Sequence, residues 1–302
     1  MKFRKVRYHF IIITCLLFLL PRAAFSQEQN AQTKKSFLWQ VQSPTSTVYL
    51  LGSIHFMKKD MYPLNPAVEA AFDEAAYLVV EVNPLTVDQK KMQHEILRKG
   101  MYQGDKTVKD DLSEEVFGML KAHLEKNNLP MANLMKYKPG MIVMTLASLQ
   151  LMKLGFSPEY GIDLHFVKKA QGERPILELE TMDEQLALLL DSTMNDDLIV
   201  KNSILEWEKT EGLMEKTISL WKTGNAEQMT KVIIKGPLKA NPELLPVYQK
   251  MFFDRNKKMA MKIKKFLETE QTYFVVVGSG HLIGEKGIIH LLKEEGYSVN
   301  QL

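Results

Sequence analysis

The sequence has almost no cysteine: Cys15 is the single one among 302 residues. It lies in an apolar segment near the start of the chain, so residues 27–302 contain no thiol. Disulfide bonds, thiolate metal sites and a cysteine nucleophile are therefore excluded from that part of the chain. Its fold must be held by packing, for which a hydrophobic content of 45% is ordinary and sufficient.

The chain also lacks an apolar run of the roughly 20 residues that a transmembrane helix needs. The longest run, residues 10–20, follows a basic start and precedes the small residues Ala24 and Ser26. This pattern is typical of a secretory signal peptide over residues 1–26, cleaved after Ser26; an uncleaved anchor is the alternative. We expect residues 27–35 to form a flexible lead-in. The product is then periplasmic or secreted, without a stable membrane span.

Residues 27–302, which remain after removal of this leader, have no excess of basic over acidic residues. The whole chain has 39 Lys and Arg against 36 Asp and Glu, but five of the basic residues lie in residues 1–26, which contain no acid. The remaining 34 basic and 36 acidic residues give a net charge of −2. We therefore expect no nucleic-acid partner, and the composition leaves the oligomeric state open.

Three familiar catalytic motifs are absent as well. The sequence contains no H-E-x-x-H, no Walker phosphate loop and no G-x-S-x-G nucleophile elbow. Residues 278–284 follow an apolar run and resemble a dinucleotide-binding loop, but the third glycine comes one position late. An exported protein also meets little nucleotide cofactor, so this interpretation is not favoured.

The strand-like runs cluster near the two ends of the chain. Between them lie long helical patterns over residues 85–170 and 195–269. We therefore predict an α/β (mixed α+β) fold over residues 36–302 as a single domain, with a central mixed sheet built from the two chain ends and a large helical insert. The predicted strands cover residues 37–42, 47–51, 77–82, 175–180, 272–277 and 297–302.

One short motif, Gly-Ser-x-His, occurs twice. It covers residues 52–55 and 278–281, each time directly after a β-run. Each histidine should therefore lie just past the carboxyl end of a strand, the edge where open α/β sheets bind ligands. If the two strands are neighbours, His55 and His281 converge, and imidazole both binds transition metals and transfers protons. The alternative is a pair of hydrogen-bonded turn histidines.

Three charged residues stand in apolar surroundings. Glu81 interrupts the run Leu78–Val82 of Leu and Val, so its carboxylate needs a metal, an arginine or a proton unless the strand lies at a sheet edge. Glu180 ends the strand predicted over residues 175–180 and shares one face with Glu178. Arg255 lies on the apolar stripe of a helix, where it either extends to solvent or pairs with a buried acid such as Glu81 or Glu180. Asp163 opens a helix and is assigned a structural role at its N-terminus.

These residues resemble those of the TraB/GumN family, which is related to the Tiki-type metalloproteases and is similar in fold to erythromycin esterase and ChaN-type proteins. The family pattern is two G-x-x-H motifs and a strand glutamate, here residues 52–55, residues 278–281 and Glu81. The runs YGIDLHF and ILELETMDEQLALL and the Arg255-Asn256 pair also resemble bacterial members. The resemblance implies a divalent-metal-dependent protease and makes His55, His281 and Glu81 the metal and catalytic candidates.

The leading hypothesis is an exported metal-dependent hydrolase, a peptidase that acts on a peptide or small-molecule substrate. His55, His281 and Glu81 are the predicted ligands of Mn, Co or Zn, leaving a coordination position for water. Glu81, Glu180 and Arg255 are the candidate catalytic residues, the last two orienting the site. Two alternatives remain open: a non-catalytic binder of haem, iron or a glycan, and a metal-free esterase-like hydrolase with a histidine base.

Overall fold

A computed structural model describes residues 35–190 and 195–302. The predicted leader over residues 1–26 and residues 27–34 of the predicted lead-in lie outside the described residues. Within the described part, no helix combines the length and the apolar character that crossing a bilayer requires.

A six-stranded mixed sheet forms the centre of the fold, with strand order β4-β3-β5-β2-β1-β6. β4, β3, β5 and β2 run parallel to one another, whereas β1 is antiparallel to both β2 and β6. All strands except β4 come from the two ends of the chain, so the predicted fold class is confirmed. The strands are β1 (Leu38–Gln42), β2 (Thr47–Ser53), β3 (Tyr77–Val80), β4 (Ile176–Glu178), β5 (Thr272–Gly278) and β6 (Ser298–Gln301).

Helices fill most of the chain between β3 and β5. The helices are α1 (Pro66–Glu74), α2 (Gln89–Gly100), α3 (Glu114–Lys126), α4 (Pro139–Lys153), α5 (Ile162–Ala170), α6 (Met182–Leu189), α7 (Asp196–Glu206), α8 (Thr210–Lys222), α9 (Ala226–Thr230), α10 (Gly236–Ala240), α11 (Leu245–Tyr248), α12 (Asp254–Leu267), α13 (Ser279–Leu282) and α14 (Ile288–Glu294). A π-helical turn, Gln249–Phe253, joins α11 to α12. Such turns alter which side chains face the core and are frequent at functional sites.

A cluster of three phenylalanines anchors helices to the sheet beneath its carboxyl edge. Phe72 of α1, Phe166 of α5 and Phe274 of β5 are fully buried, and their ring centroids lie 4.9–5.5 Å apart. Aromatic pairs at such spacings add to the energy of burial. The cluster fixes α5 against β5, which matters because the N-terminus of α5 carries a residue of the site described next.

Candidate functional site

Four neighbouring parallel strands each deliver one candidate residue to the same edge of the sheet. β2 and β5 pair in parallel from Thr47–Thr272 to Ser53–Gly278, so the condition for convergence of the two histidines, neighbouring strands, is met. His55 follows β2, Glu81 follows β3, His281 follows β5 and Glu180 follows β4. Ligand sites in open α/β sheets form at this carboxyl edge.

The side chains of His55, Glu81 and His281 converge on Gly278. A β-carbon built on Gly278 would lie 3.4 Å from His55 Nε2, from Glu81 Oε1 and from His281 Cδ2. Glu81 Oε1 also accepts a hydrogen bond from the Gly278 amide at 2.7 Å, and it lies 3.8 Å from His281 Nε2. The glycine therefore leaves open a small space that the three side chains surround.

Two strand ends differ from the prediction. β3 ends at Val80 and β4 ends at Glu178, so Glu81 and Glu180 follow their strands rather than belonging to them. β3 lies between β4 and β5, so it is not an edge strand. The two glutamates predicted to share a strand face differ in their surroundings: Glu178 is exposed and accepts from the Asn83 backbone amide, whereas Glu180, the one selected as the site candidate, is buried.

Asp163 holds the ring of His55. Asp163 Oδ2 lies 2.6 Å from His55 Nδ1, and Asp163 Oδ1 accepts from Ser53 Oγ at 2.6 Å. α5 can start this close because Gly161 has no side chain: a β-carbon there would lie 2.3 Å from the His55 carbonyl oxygen. Asp163 does open α5, as predicted, but its assignment to the helix terminus alone missed this contact. The Asp163 bond leaves Nε2 of His55 facing the site.

Asn256 holds the ring of His281 in the same way. Asn256 Oδ1 lies 2.6 Å from His281 Nδ1, and Asn256 Nδ2 donates to the Lys286 carbonyl at 2.8 Å. Asn256 and His281 are buried, and the Phe252 ring lies 5.3 Å from the imidazole. Each histidine therefore has its Nδ1 anchored by an oxygen and its Nε2 directed toward the other site residues.

The serines of the two motifs connect the motifs to each other. Ser279 Oγ donates to the Ser53 carbonyl at 2.8 Å, and Ser53 Oγ donates to Asp163. The Trp221 indole donates to the Gly52 carbonyl at 2.5 Å. The repeated Ser-x-His pattern thus reflects a shared hydrogen-bonded framework under both histidines.

Arg255 pairs with two buried carboxylates at once. Its Nη2 donates to Glu81 Oε2 and Glu180 Oε2, both at 2.6 Å, and its Nε donates to Glu180 Oε1 at 2.8 Å. Gln185 Nε2 donates to the same two oxygens at 3.1 and 3.0 Å. Arg255 Nη1 bonds the Met251 carbonyl within the π-helical turn. Both acids proposed as partners of Arg255 are therefore partners, which fixes the orientation of Glu81.

The surroundings shift the pKa values of the three converging groups in different directions. Burial lowers the pKa of His55, but the Asp163 carboxylate outweighs it and raises that pKa to about 9. Burial and the charge of Arg255 lower the pKa of His281 to about 3. Burial raises the pKa of Glu81, whereas the charges of His281, Arg255 and His55 lower it to about 2. Since His281 is neutral near pH 7, Arg255 and His55 keep Glu81 ionised there.

A small cleft opens beside His55. It measures about 40 Å³ and is lined by His55, Glu81, Pro84, Asp163 and Leu164, among others. A cleft with an ionised carboxylate and an imidazole on its wall can position a polar group and exchange protons with it.

The donor chemistry around Gly278 fits a divalent transition metal. In residues 35–190 and 195–302, no set of three or more His, Cys, Asp and Glu side chains is already spaced for a metal ion. However, metal-binding histidines usually donate their other ring nitrogen to a carboxylate or carbonyl oxygen, as His55 and His281 do here. Two such Nε2 atoms, one carboxylate oxygen and the open space at Gly278 supply ligand types that Zn²⁺ and similar ions accept.

Comparison with known proteins identifies the family of the chain. The model of the TraB/PrgY/gumN family matches residues 37–301. The uncharacterized protein YbaP of Escherichia coli K12 is 26% identical, over 81% of this chain and 87% of its own. A protein of Amphimedon queenslandica named metalloprotease TIKI homolog is 21% identical, over 96% of this chain and 66% of its own.

Metalloprotease TIKI1 of Danio rerio is also 21% identical, over 87% of this chain and 62% of its own length. The chain therefore spans about two thirds of the two Tiki relatives. No solved structure matches the chain significantly. The family match covers both Gly-Ser-x-His motifs, Glu81, Glu180 and Arg255, and the chain belongs to the TraB/PrgY/gumN family.

Proposed function

We propose that the protein is an exported metal-dependent hydrolase that cleaves peptide bonds. The observation that carries this proposal is the convergence of His55, Glu81 and His281 around the open space at Gly278. The names of the Tiki relatives support both the metal and the peptide bond. The absence of cysteine from residues 27–302 agrees with hydrolysis that needs no thiol nucleophile.

His55, His281 and Glu81 are the residues that would hold Mn, Co or Zn. A bound divalent ion of this kind lowers the pKa of water and polarises a carbonyl group. Asp163 and Asn256 keep the two imidazole rings oriented with Nε2 toward the site. Arg255 and Gln185 hold one oxygen of Glu81 and leave Oε1 facing the Gly278 space.

Glu180 and Arg255 act as positioning residues. Glu180 accepts two hydrogen bonds from Arg255. These bonds hold the guanidinium group in the orientation in which it can donate to Glu81. A bidentate pair of this kind restricts orientation more than a single contact does. Arg255 thereby keeps Glu81 ionised and in place throughout a reaction cycle.

The proposal is tested by peptide hydrolysis after removal of metal. We expect a peptide library to be cleaved, with activity lost on chelation and restored by adding Mn, Co or Zn. The double variant His55→Ala/His281→Ala should be inactive with every metal, while His94→Ala, a change at an exposed histidine, should behave as wild type. Full activity in the double variant would overturn the proposal.

A metal-free hydrolase is the second candidate, favoured by one contact. The short hydrogen bond from His55 to Asp163 resembles the base-and-orienting-acid arrangement of hydrolases that use a histidine as general base. Because Asp163 raises the pKa of His55 to about 9, this base would act in alkaline solution, where the imidazole is neutral. Activity that persists in strong chelators and disappears in His55→Ala would select this candidate over the first.

We predict that Asp163→Asn weakens metal binding and activity by about 10- to 100-fold. The amide can present its NH₂ group to His55 Nδ1, which removes the carboxylate that orients the ring. Metal affinity measured by calorimetry separates this effect from a loss of stability, and Asp163→Glu should restore part of it. The exposed Asp60 provides the control variant Asp60→Asn. Unchanged metal affinity in Asp163→Asn would show that the contact has no role in the site.

Export is the second part of the proposal, and it predicts a defined N-terminus for the mature chain. In a bacterial host that recognises the leader, the chain should appear in the periplasm or medium with Gln27 at its N-terminus. N-terminal sequencing measures this directly, and replacing Ala24 and Ser26 by bulky residues should block the cut, because signal peptidases need small residues there. A purified chain that retains Met1 and stays with membranes would support an anchor instead.

A further inference from the structure

A second cavity lies on the opposite side of the Arg255–Glu180 pair. This α6/α12 cavity measures about 500 Å³, and Arg255 and Glu180 line its inner wall. Since Arg255 Nη2 bonds Glu180, which lines the cavity, and Glu81 in the site, one guanidinium group connects the cavity wall with the site. A group bound in the cavity would therefore lie next to the reacting residues.

The rim of the α6/α12 cavity is basic. Four lysines line it, spaced along one face of α12 and the π-helical turn before it: Lys250, Lys258, Lys262 and Lys265. Lys258 and Lys265 are exposed and form no hydrogen bond or salt bridge within the part of the chain that the structure describes. Two acids share this rim: Glu184, whose pKa is lowered by its bonds to Thr181 and by the charges of Lys258 and Lys262, and Asp254. Four lysines against two carboxylates leave the rim with a net positive charge.

Below the basic rim, the wall of the cavity contains a buried glutamine and apolar side chains. Gln185 is buried, and its Oε1 lacks a hydrogen-bond partner among the described residues, although its Nε2 donates to both carboxylates. Leu179, Leu188 and the exposed Met261 supply apolar contacts.

We propose that the α6/α12 cavity binds an acidic segment of the peptide substrate. Carboxylates of the segment pair with Lys258 and Lys265, and its aliphatic portions pack on Met261. The inference rests on the proposed function for its peptide substrate, and it adds that acidic residues lie near the bond to be cut. Charge complementarity selects an acidic segment over a neutral one.

The test measures binding without turnover. A labelled peptide of alternating Glu and Ala is titrated by fluorescence anisotropy into the His55→Ala/His281→Ala variant, with a Gln/Ala peptide of equal length for comparison. We expect the acidic peptide to bind and the neutral one to bind at least about tenfold more weakly. Added salt should weaken the binding of the acidic peptide. Because no hydrolysis is needed, the result is independent of whether the proposed activity is found.

Matched charge reversals locate the binding surface. Adding Lys258→Glu/Lys265→Glu to the same background should lower the affinity for the acidic peptide by about tenfold or more. The control Lys239→Glu/Lys257→Glu makes the same change of net charge at exposed lysines outside the cavity, one of them on α12, and should leave affinity within about twofold. Equal losses of affinity in both double-lysine variants, or no loss of affinity in Lys258→Glu/Lys265→Glu, would overturn the proposal. Binding of phosphatidylglycerol vesicles or single-stranded DNA in place of the peptide would overturn it as well.

Discussion

Arg255→Met is expected to destabilise the protein by about 3–5 kcal/mol, a large part of the stability of a typical domain. The substitution keeps apolar volume but leaves the buried carboxylates of Glu81 and Glu180 without their shared cation. An uncompensated buried charge costs far more than the loss of an exposed pair. Urea unfolding of metal-free protein, followed by circular dichroism, measures the change in the free energy of unfolding.

An exposed pair in the same chain provides the control. Arg98 also pairs with a glutamate, Glu95, but this pair lies on the surface of α2. Arg98→Met should therefore unfold at nearly the wild-type urea concentration, because solvent screens exposed pairs. Replacing all three cluster residues together, as Arg255→Met/Glu81→Gln/Glu180→Gln, should recover part of the lost stability. Equal unfolding midpoints for wild type and Arg255→Met would contradict the burial and pairing described for this cluster.

Gly278→Ala is expected to lower kcat/KM by about 100-fold or more while leaving the fold intact. The added methyl group would lie at ordinary contact distance, 3.4 Å, from His55 Nε2, Glu81 Oε1 and His281 Cδ2, so it fills the space they share. The backbone at Gly278, with φ −49° and ψ 135°, suits alanine without strain. The variant therefore removes the space but neither the ligands nor the turn.

Glycines in open surroundings supply the control for this prediction. A β-carbon at Gly118 of α3 or Gly212 of α8 would meet nothing within 4 Å. Alanine at either position should keep activity and add slightly to helix stability. Steady-state kinetics and thermal melting of the three alanine variants measure kcat/KM and stability separately. A fully active Gly278→Ala would contradict a reaction centre at this point.

The position of the main site residues could be predicted from local pattern. The apolar runs before both Gly-Ser-x-His motifs predict strands, and parallel strands place their carboxyl ends at one edge of a sheet. Glu81 was identifiable because a carboxylate among Leu and Val needs a partner, and Arg255 because it interrupts an apolar stripe. These inferences depend on residues near in sequence or on the general geometry of sheets.

The residues that hold the histidines could not be predicted in the same way. Asp163 is 108 positions from His55, and Asn256 is 25 positions from His281, so their contacts depend on how α5 and α12 pack on the sheet. Asp163 looked like an ordinary helix-terminal acid, and the requirement at Gly161 comes from the nearby His55 carbonyl. The bounds of β3 and β4 were also predicted too long, because Leu and Val continue past the last paired residues. Tertiary packing determined each of these features.

The central claim is that His55, Glu81 and His281 form one metal-dependent centre, and metal titration tests it most directly. Purified protein, stripped of metal, is titrated with Mn, Co and Zn by calorimetry beside the variant His55→Ala. The account predicts one metal ion per chain for the wild type, with this site lost in the variant. An absence of binding by the wild type, or equal binding by His55→Ala, would contradict it.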